Sequence, residues 1–196
     1  MDLGEPSKII GIKISCDDKS ITISQKLYIE SILKWKGLDH TNQVRMLLDS
    51  NVHLESSLEG NNDDQSNAFT QSLGALQFVA NTTRSDIAYA VNKLASYTAN
   101  LTIQHVTALK RIMCYLSGTW EYGIRYYDSP IYPNAFIGYS DAAFANNEDY
   151  KSISSYVFIT QGGAITWRSK KQTTIALSSM KAKYVGSLNL HTKLVG

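Results

Sequence analysis

Two of the three prolines in this 196-residue chain stand three positions apart, in "YYDSPIYPNAF". Pro130 and Pro133 lack a backbone N–H and hold φ fixed, so neither a helix interior nor the middle of a strand ladder can run through them. The break is read as a domain boundary. Hydrophobic residues make up 43% of the chain and charged residues 18%, enough for one large or two small globular domains.

Before the boundary, "KIIGIKISCDD" and "KSITIS" are apolar or alternating around a polar turn at Asp17–Lys19, the pattern of a β-hairpin. A helix is expected next, with Ser24 as N-cap, Tyr28, Ile32 and Trp35 recurring beside Ile29 and Leu33, and Gly37 ending it in a left-handed turn. Residues 39–67 are polar, and Asp49, Glu55, Glu59, Asp63 and Asp64 are read as a solvated loop and not a metal site. Helical spacing predicts three further helices, Phe69–Asn81, Asp86–Thr98 and Thr102–Ser117, the last closed by Gly118, and "EYGIRYY" reads as a strand.

Beyond the prolines, "AFIGYSD" is strand-like, and further strands are expected at about Ile153–Thr160 and Ala164–Ser169 around a tight Gly162-Gly163 turn. A helix should span Leu177–Val195. Leu177, Lys181, Tyr184 and Leu188 fall on one face of it, and Lys183 joins Ser179 and Ser187 on another. This pattern predicts that Lys181 points towards the sheet and Lys183 towards solvent. The fold class is α+β.

No run approaches the roughly 18 uninterrupted apolar residues of a membrane span, and "MDLGEPSKII" lacks the layout of a signal peptide. An intracellular protein without membrane partners is expected. Cys16 and Cys114 have no Cys or His at ligand spacing and are read as free thiols. His105, near the start of its helix, is read as a packing residue. Up to Asp149 the chain holds 12 basic and all 17 acidic residues, a formal charge of −5, whereas Tyr150–Gly196 holds 7 basic residues and no acid, a formal charge of +7. Such a split is the footprint of a polyanion-binding face, or of a stretch whose balancing acids lie elsewhere.

Taken in order, "DLGEPSKIIGIKI", "ITISQKLYIESIL", "FTQSLGALQFVANTTRSDIAYAVNKLA", "HVTALKRIMCYLSGTWEYGI" and the fifty residues from Tyr139 to Leu188 form a specific pattern over nearly the whole chain. It resembles the C-terminal reverse transcriptase region and the beginning of the RNase H domain of copia-type LTR retrotransposon Pol polyproteins. The resemblance implies that residues 1–128 form a late palm, thumb and connection-like region. Residues 135–196 would then be a truncated RNase H-like unit of three strands and a helix. The family's polymerase aspartates would precede the point matching Met1, so polymerisation is not expected.

RNase H chemistry requires carboxylates that hold two Mg²⁺ ions roughly 4 Å apart, activating water and stabilising the leaving oxygen. By resemblance, Asp141 is the first of these, Lys181 in "SSMKAKY" stands where the second ligand, a Glu, is expected, Lys183 replaces a further Glu, and the third aspartate would lie past Gly196. An ammonium beside Asp141 competes with a divalent ion, so the expectation is an inactive remnant without metal ligands, in which Mg²⁺ matters only if ribonuclease activity survives. Weak binding to an RNA–DNA hybrid or other nucleic acid is expected through Lys110, Arg111, Arg168, Lys170 and Lys171. An intact retroelement polymerase is the alternative partner. Ser85 in "TRSDI" departs from the family's Pro. Tyr126, Tyr127, Tyr139 and Trp167 are read as strand packing in preference to base stacking.

Overall fold

The alternation in "IKISCD" and "SITIS" folds back as an antiparallel hairpin in the computed structural model, which describes residues 7–39, 41–48, 54–55, 63–128, 136–145 and 149–195. The chain divides into two units, Met1–Asp128 and Ser129–Gly196. The proline stretch and two of the loop acids, Asp49 and Glu59, lie outside the described residues.

In the first unit, β1 (Lys8–Ile9), β2 (Ile12–Asp17) and β3 (Ser20–Ser24) are joined by β4 (Gly123–Tyr127), giving an antiparallel sheet in the order β1-β2-β3-β4. The strand read as separate is thus the hairpin's partner, with Ser24 opposite Gly123 and Ser20 opposite Tyr127. A Cβ on Gly123 would lie 2.3 Å from the Ile23 carbonyl oxygen, so this close pairing admits only glycine. Ser24 stays in the strand, and the N-cap of α1 (Lys26–Trp35) is Gln25, correcting the expected cap. Gln25 is fully buried and accepts a hydrogen bond from Thr83 Oγ1 at 2.8 Å.

Helix α1 buries Ile29, Ile32 and Leu33, while Trp35 faces solvent beneath the Lys36 ammonium. It ends as read: Gly37 has φ +63°, its N–H donates to Lys34 O, and the Leu38 N–H donates to Leu33 O. Helix α2 (Asp63–Thr82) begins six residues before the expected start, so the last acids of the supposed loop lie in its first turn, where the helix dipole favours them. The third expected helix is shorter, a 3₁₀ turn at Ser85–Ile87 followed by α3 (Ala88–Ala95). Helix α4 (Ile103–Thr119) is capped by Thr102, whose backbone N–H donates to His105 Nδ1 at 2.9 Å, and it passes through Gly118 without ending there. Buried His105 stacks on Tyr97, in keeping with a packing role. Ile29, Leu76, Val79, Leu94, Ile112 and Leu116 join the four helices in one apolar core.

The second unit is an antiparallel sheet, β5 (Ile137–Ala143), β6 (Ile153–Thr160) and β7 (Gly163–Lys171), with α5 (Ser179–Val195) against it. The β6–β7 turn is Gln161-Gly162, both at positive φ, and Gly163 already belongs to β7, which shifts the expected Gly-Gly turn by one residue. Helix α5 starts two residues later than read, leaving exposed Leu177 outside it. No helix among the described residues is long and apolar enough to cross a membrane.

Candidate functional site

What fixes α5 on the sheet is a pair of small residues. Ala182 is fully buried, and a Cβ on Gly186 would lie 3.4 Å from Asp141 O and 3.6 Å from Ala142 Cβ, so the helix approaches β5 at van der Waals contact. Gln172, just past β7, locks this arrangement: its Nε2 donates to Ser154 Oγ at 2.6 Å and to the Ala182 carbonyl at 2.9 Å. The inward face is therefore Ala182–Gly186, and the face carrying Lys181, Tyr184 and Leu188 is exposed. The expected orientation of the two lysines is corrected by this packing.

Along the flank of α5 beside β5, Lys183 and Ser187 run one turn apart, with the Ser187 hydroxyl donating to the Lys183 carbonyl at 3.1 Å. Ser187 Oγ lies 3.5 Å from Ser140 Oγ, and Lys183 Nζ lies 3.9 Å from Asp141 Oδ1. The same carboxylate oxygen accepts the Ala142 backbone N–H at 2.8 Å. Asp141 and Lys183 side chains are 80% and 67% exposed, so the pair is held by geometry more than by Coulomb energy. Lys181, two residues away and about 200° around the helix, is exposed and has no part in the pair.

These residues do not fit a divalent cation. Asp141 faces the Lys183 ammonium, and no cluster of three His, Cys, Asp or Glu side chains able to hold a metal occurs among the described residues. Cys16 is exposed, Cys114 is buried, and both are free.

The basic candidates separate into different places. Arg168 and Lys170 sit opposite Tyr156 and Ser154 on one face of β7–β6, and with Asn189 and Thr192 of α5 they line a groove of about 220 Å³. Lys171 also borders the groove, but its Nζ is 2.9 Å from Asp149 Oδ2, and Lys151 stands 3.6 Å from the same oxygen. Slight burial opposes ionisation of Asp149, but the hydrogen bonds from Lys171 and the Lys151 backbone N–H, with the charges of both lysines, together outweigh it and hold the carboxyl below the usual aspartate range. The acid at the very edge of the basic run thus neutralises one of its members. Consecutive Lys110 and Arg111 on α4 border different grooves, Lys110 with Lys36 and Met113, Arg111 with Lys93 and Ile103, and Arg111 Nε donates to Met46 O at 3.0 Å. They do not form one patch. Of the aromatics, Tyr126 and Trp167 are partly buried, whereas Tyr127 and Tyr139 are exposed and depart from the packing expectation.

The most tightly held ion pair among the described residues escaped the sequence reading. Arg84, in "TTRSDI", is 2% exposed; its Nε and Nη2 clasp both Asp86 oxygens at 2.7–3.2 Å, and Nη1 and Nη2 reach Thr119 O and Oγ1 at 2.8 and 2.7 Å. Tyr115 Oη donates to Asp86 Oδ2 at 2.9 Å. Burial alone would raise the Asp86 carboxyl, but the Arg84 guanidinium together with the hydrogen bonds from Tyr115 and the backbone outweighs it and holds it below the usual range. The one available signal was an Asp two residues after an Arg; the partners at Tyr115 and Thr119 are too distant in sequence to read.

No protein-family profile matches the chain, and no solved structure matches it. Over 99% of its length it is similar to the retrovirus-related Pol polyprotein from transposon TNT 1-94 of Nicotiana tabacum, with 30% identity, and it covers 15% of that protein. It is 31% identical, over 94% of its length, to the Pol polyprotein from transposon RE1 of Arabidopsis thaliana, of which it covers 12%. Secreted RxLR effector protein 161 of Plasmopara viticola is 37% identical over 60% of this chain and 82% of its own length.

Proposed function

Because the chain belongs to the retrovirus-related Pol polyproteins of copia-type transposons, we propose that it is a catalytically silent Pol segment that retains weak, non-specific binding to nucleic acid. The observation that carries this reading is the Lys183 ammonium 3.9 Å from Asp141. Hydrolysis of a phosphodiester by two metal ions needs carboxylates that bridge and neutralise the ions. A carboxylate paired with an ammonium offers them a site of no net charge. Arg168 and Lys170, which share a face of β7 and have no acid among the described residues lining their groove, supply the phosphate contacts, and Lys171, engaged by Asp149, contributes less.

If about two to three basic groups meet phosphates, log affinity for a labelled RNA–DNA hybrid should fall against log salt with a slope of about −2 to −3. Arg168→Ala with Lys170→Ala should flatten that slope, and Lys110→Ala should change it little. A slope near zero, or one untouched by the double substitution, removes the nucleic-acid reading. It would favour the second reading, a module that assembles with an intact retroelement polymerase, for which the observation is the outward stripe of Met180, Tyr184 and Leu188, exposed to 80%, 71% and 52%.

A further inference from the structure

We infer that the groove between α5 and β7 takes the base of an unpaired nucleotide, so that the polyanion this chain prefers is a single strand and not a duplex. The inference rests on the nucleic-acid reading above and narrows it from charge to shape. Alternation along the strands builds the site. Residues two apart on a strand share a face and lie about 6.7 Å apart, so Arg168 and Lys170 stand in line on the side of the sheet that carries α5, opposite Tyr156 and Ser154 of β6. Both cations are exposed, and neither has an ionic partner among the described residues, whereas their neighbour Lys171 is held by Asp149. Val185 and Asn189 of α5 form the facing wall of the groove. Its floor is fixed: Gln172 is buried, and its amide donates to Ser154 Oγ and to the Ala182 carbonyl, tying the end of β7 to β6 and to the helix.

Two side chains of this groove add what a purely electrostatic surface lacks. Tyr156 is partly buried, with its ring edge-on to Phe158, and it stands beside Arg168. An anchored aromatic ring next to cations in line is the combination that holds single strands, the base stacking on the ring while the backbone phosphates meet the cations. Asn189 is exposed on α5 and presents both donors and an acceptor to a base edge. The groove encloses about 220 Å³, the scale of one base and not of a stacked column. A duplex reaches only the rim with its phosphates, because its bases stay stacked inside, whereas an unpaired nucleotide can turn its base into the groove. Charge alone gives the opposite order, since a duplex carries the denser phosphates and releases more counterions per contact.

The test is fluorescence anisotropy of the full chain titrated into a labelled mixed-sequence oligonucleotide, single-stranded or annealed to its complement, at matched salt. The single strand should bind at least about threefold more tightly than the duplex. Tyr156→Leu should weaken single-strand binding about tenfold, the scale of one lost base stack, and leave duplex binding unchanged, while Tyr156→Phe, which keeps the ring, should bind as the unsubstituted chain does. Asn189→Ala, at an exposed helix position where alanine favours the helix, should weaken single-strand binding about threefold, and it decides the matter if circular dichroism shows Tyr156→Leu to be unfolded. Arg168→Ala with Lys170→Ala should weaken both probes. A single strand bound no more tightly than the duplex, losses shared equally by the two probes in Tyr156→Leu and Asn189→Ala, or a single-strand affinity untouched by either overturns the inference while leaving the nucleic-acid reading standing. No salt-dependent binding of either probe overturns both.

Discussion

Helices of the first unit meet through Leu76, Ile112 and Leu116, whereas the helix of the second meets its sheet through Ala182 and Gly186. Large side chains keep helices well apart and bury much apolar surface between them. Small ones bring backbone to backbone and bury little, leaving Met180, Tyr184 and Leu188 outside. The buried cluster at the α5–β5 contact is accordingly three alanines, Ala142, Ala176 and Ala182. The ion pairs differ in the same sense: Arg84–Asp86 is wrapped by Thr119 and Tyr115, and Lys183–Asp141 stands in solvent. One unit is organised by its interior. The other is organised by close contact and hydrogen bonds such as those of Gln172.

The largest expected effect breaks the first unit alone. Leu76→Ala removes a fully buried side chain and should cost about 2–5 kcal/mol. Amide hydrogen exchange should show α2, α3 and α4 losing protection together while β6 and β7 keep theirs. Equal losses in both units would mean that they unfold as one and that the contrast is false.

A smaller effect comes from acid. Asp86 titrates below its unfolded value, so its contribution is complete above about pH 4 and is lost as pH falls through the lower folded value. The thermal midpoint of the first unit should drop in that window, and Asp86→Asn should remove this part of the pH dependence. Asp149 is shifted in the same direction in the second unit, yet its pair with Lys171 is partly exposed, and Asp149→Asn should change the midpoint far less. A larger effect from Asp149→Asn would reverse the ranking of the two pairs.

Local signals were legible where local chemistry decides. Gly37 and Thr102 mark helix ends by rules that involve only neighbouring residues, and both ends form as read. Long-range pairing was not: β4 joins β3 across about a hundred residues, and Arg84 finds Thr119 at the end of α4. The lysines of α5 were misread for a specific physical reason. Apolar periodicity assigns the inward face to Leu177, Tyr184 and Leu188, but close packing on β5 selects for size, and only the Ala182–Gly186 face is small enough. The residue types of the site could be listed from the sequence; which lysine meets Asp141 could not.

The central proposal is that Asp141 does not support metal-dependent hydrolysis. Incubating the purified chain with a labelled RNA–DNA hybrid in Mg²⁺ or Mn²⁺ tests it directly, with Asp141→Asn run alongside. The account predicts that the RNA strand stays intact, or that any background cleavage is the same in both proteins. Cleavage that Asp141→Asn abolishes would contradict it.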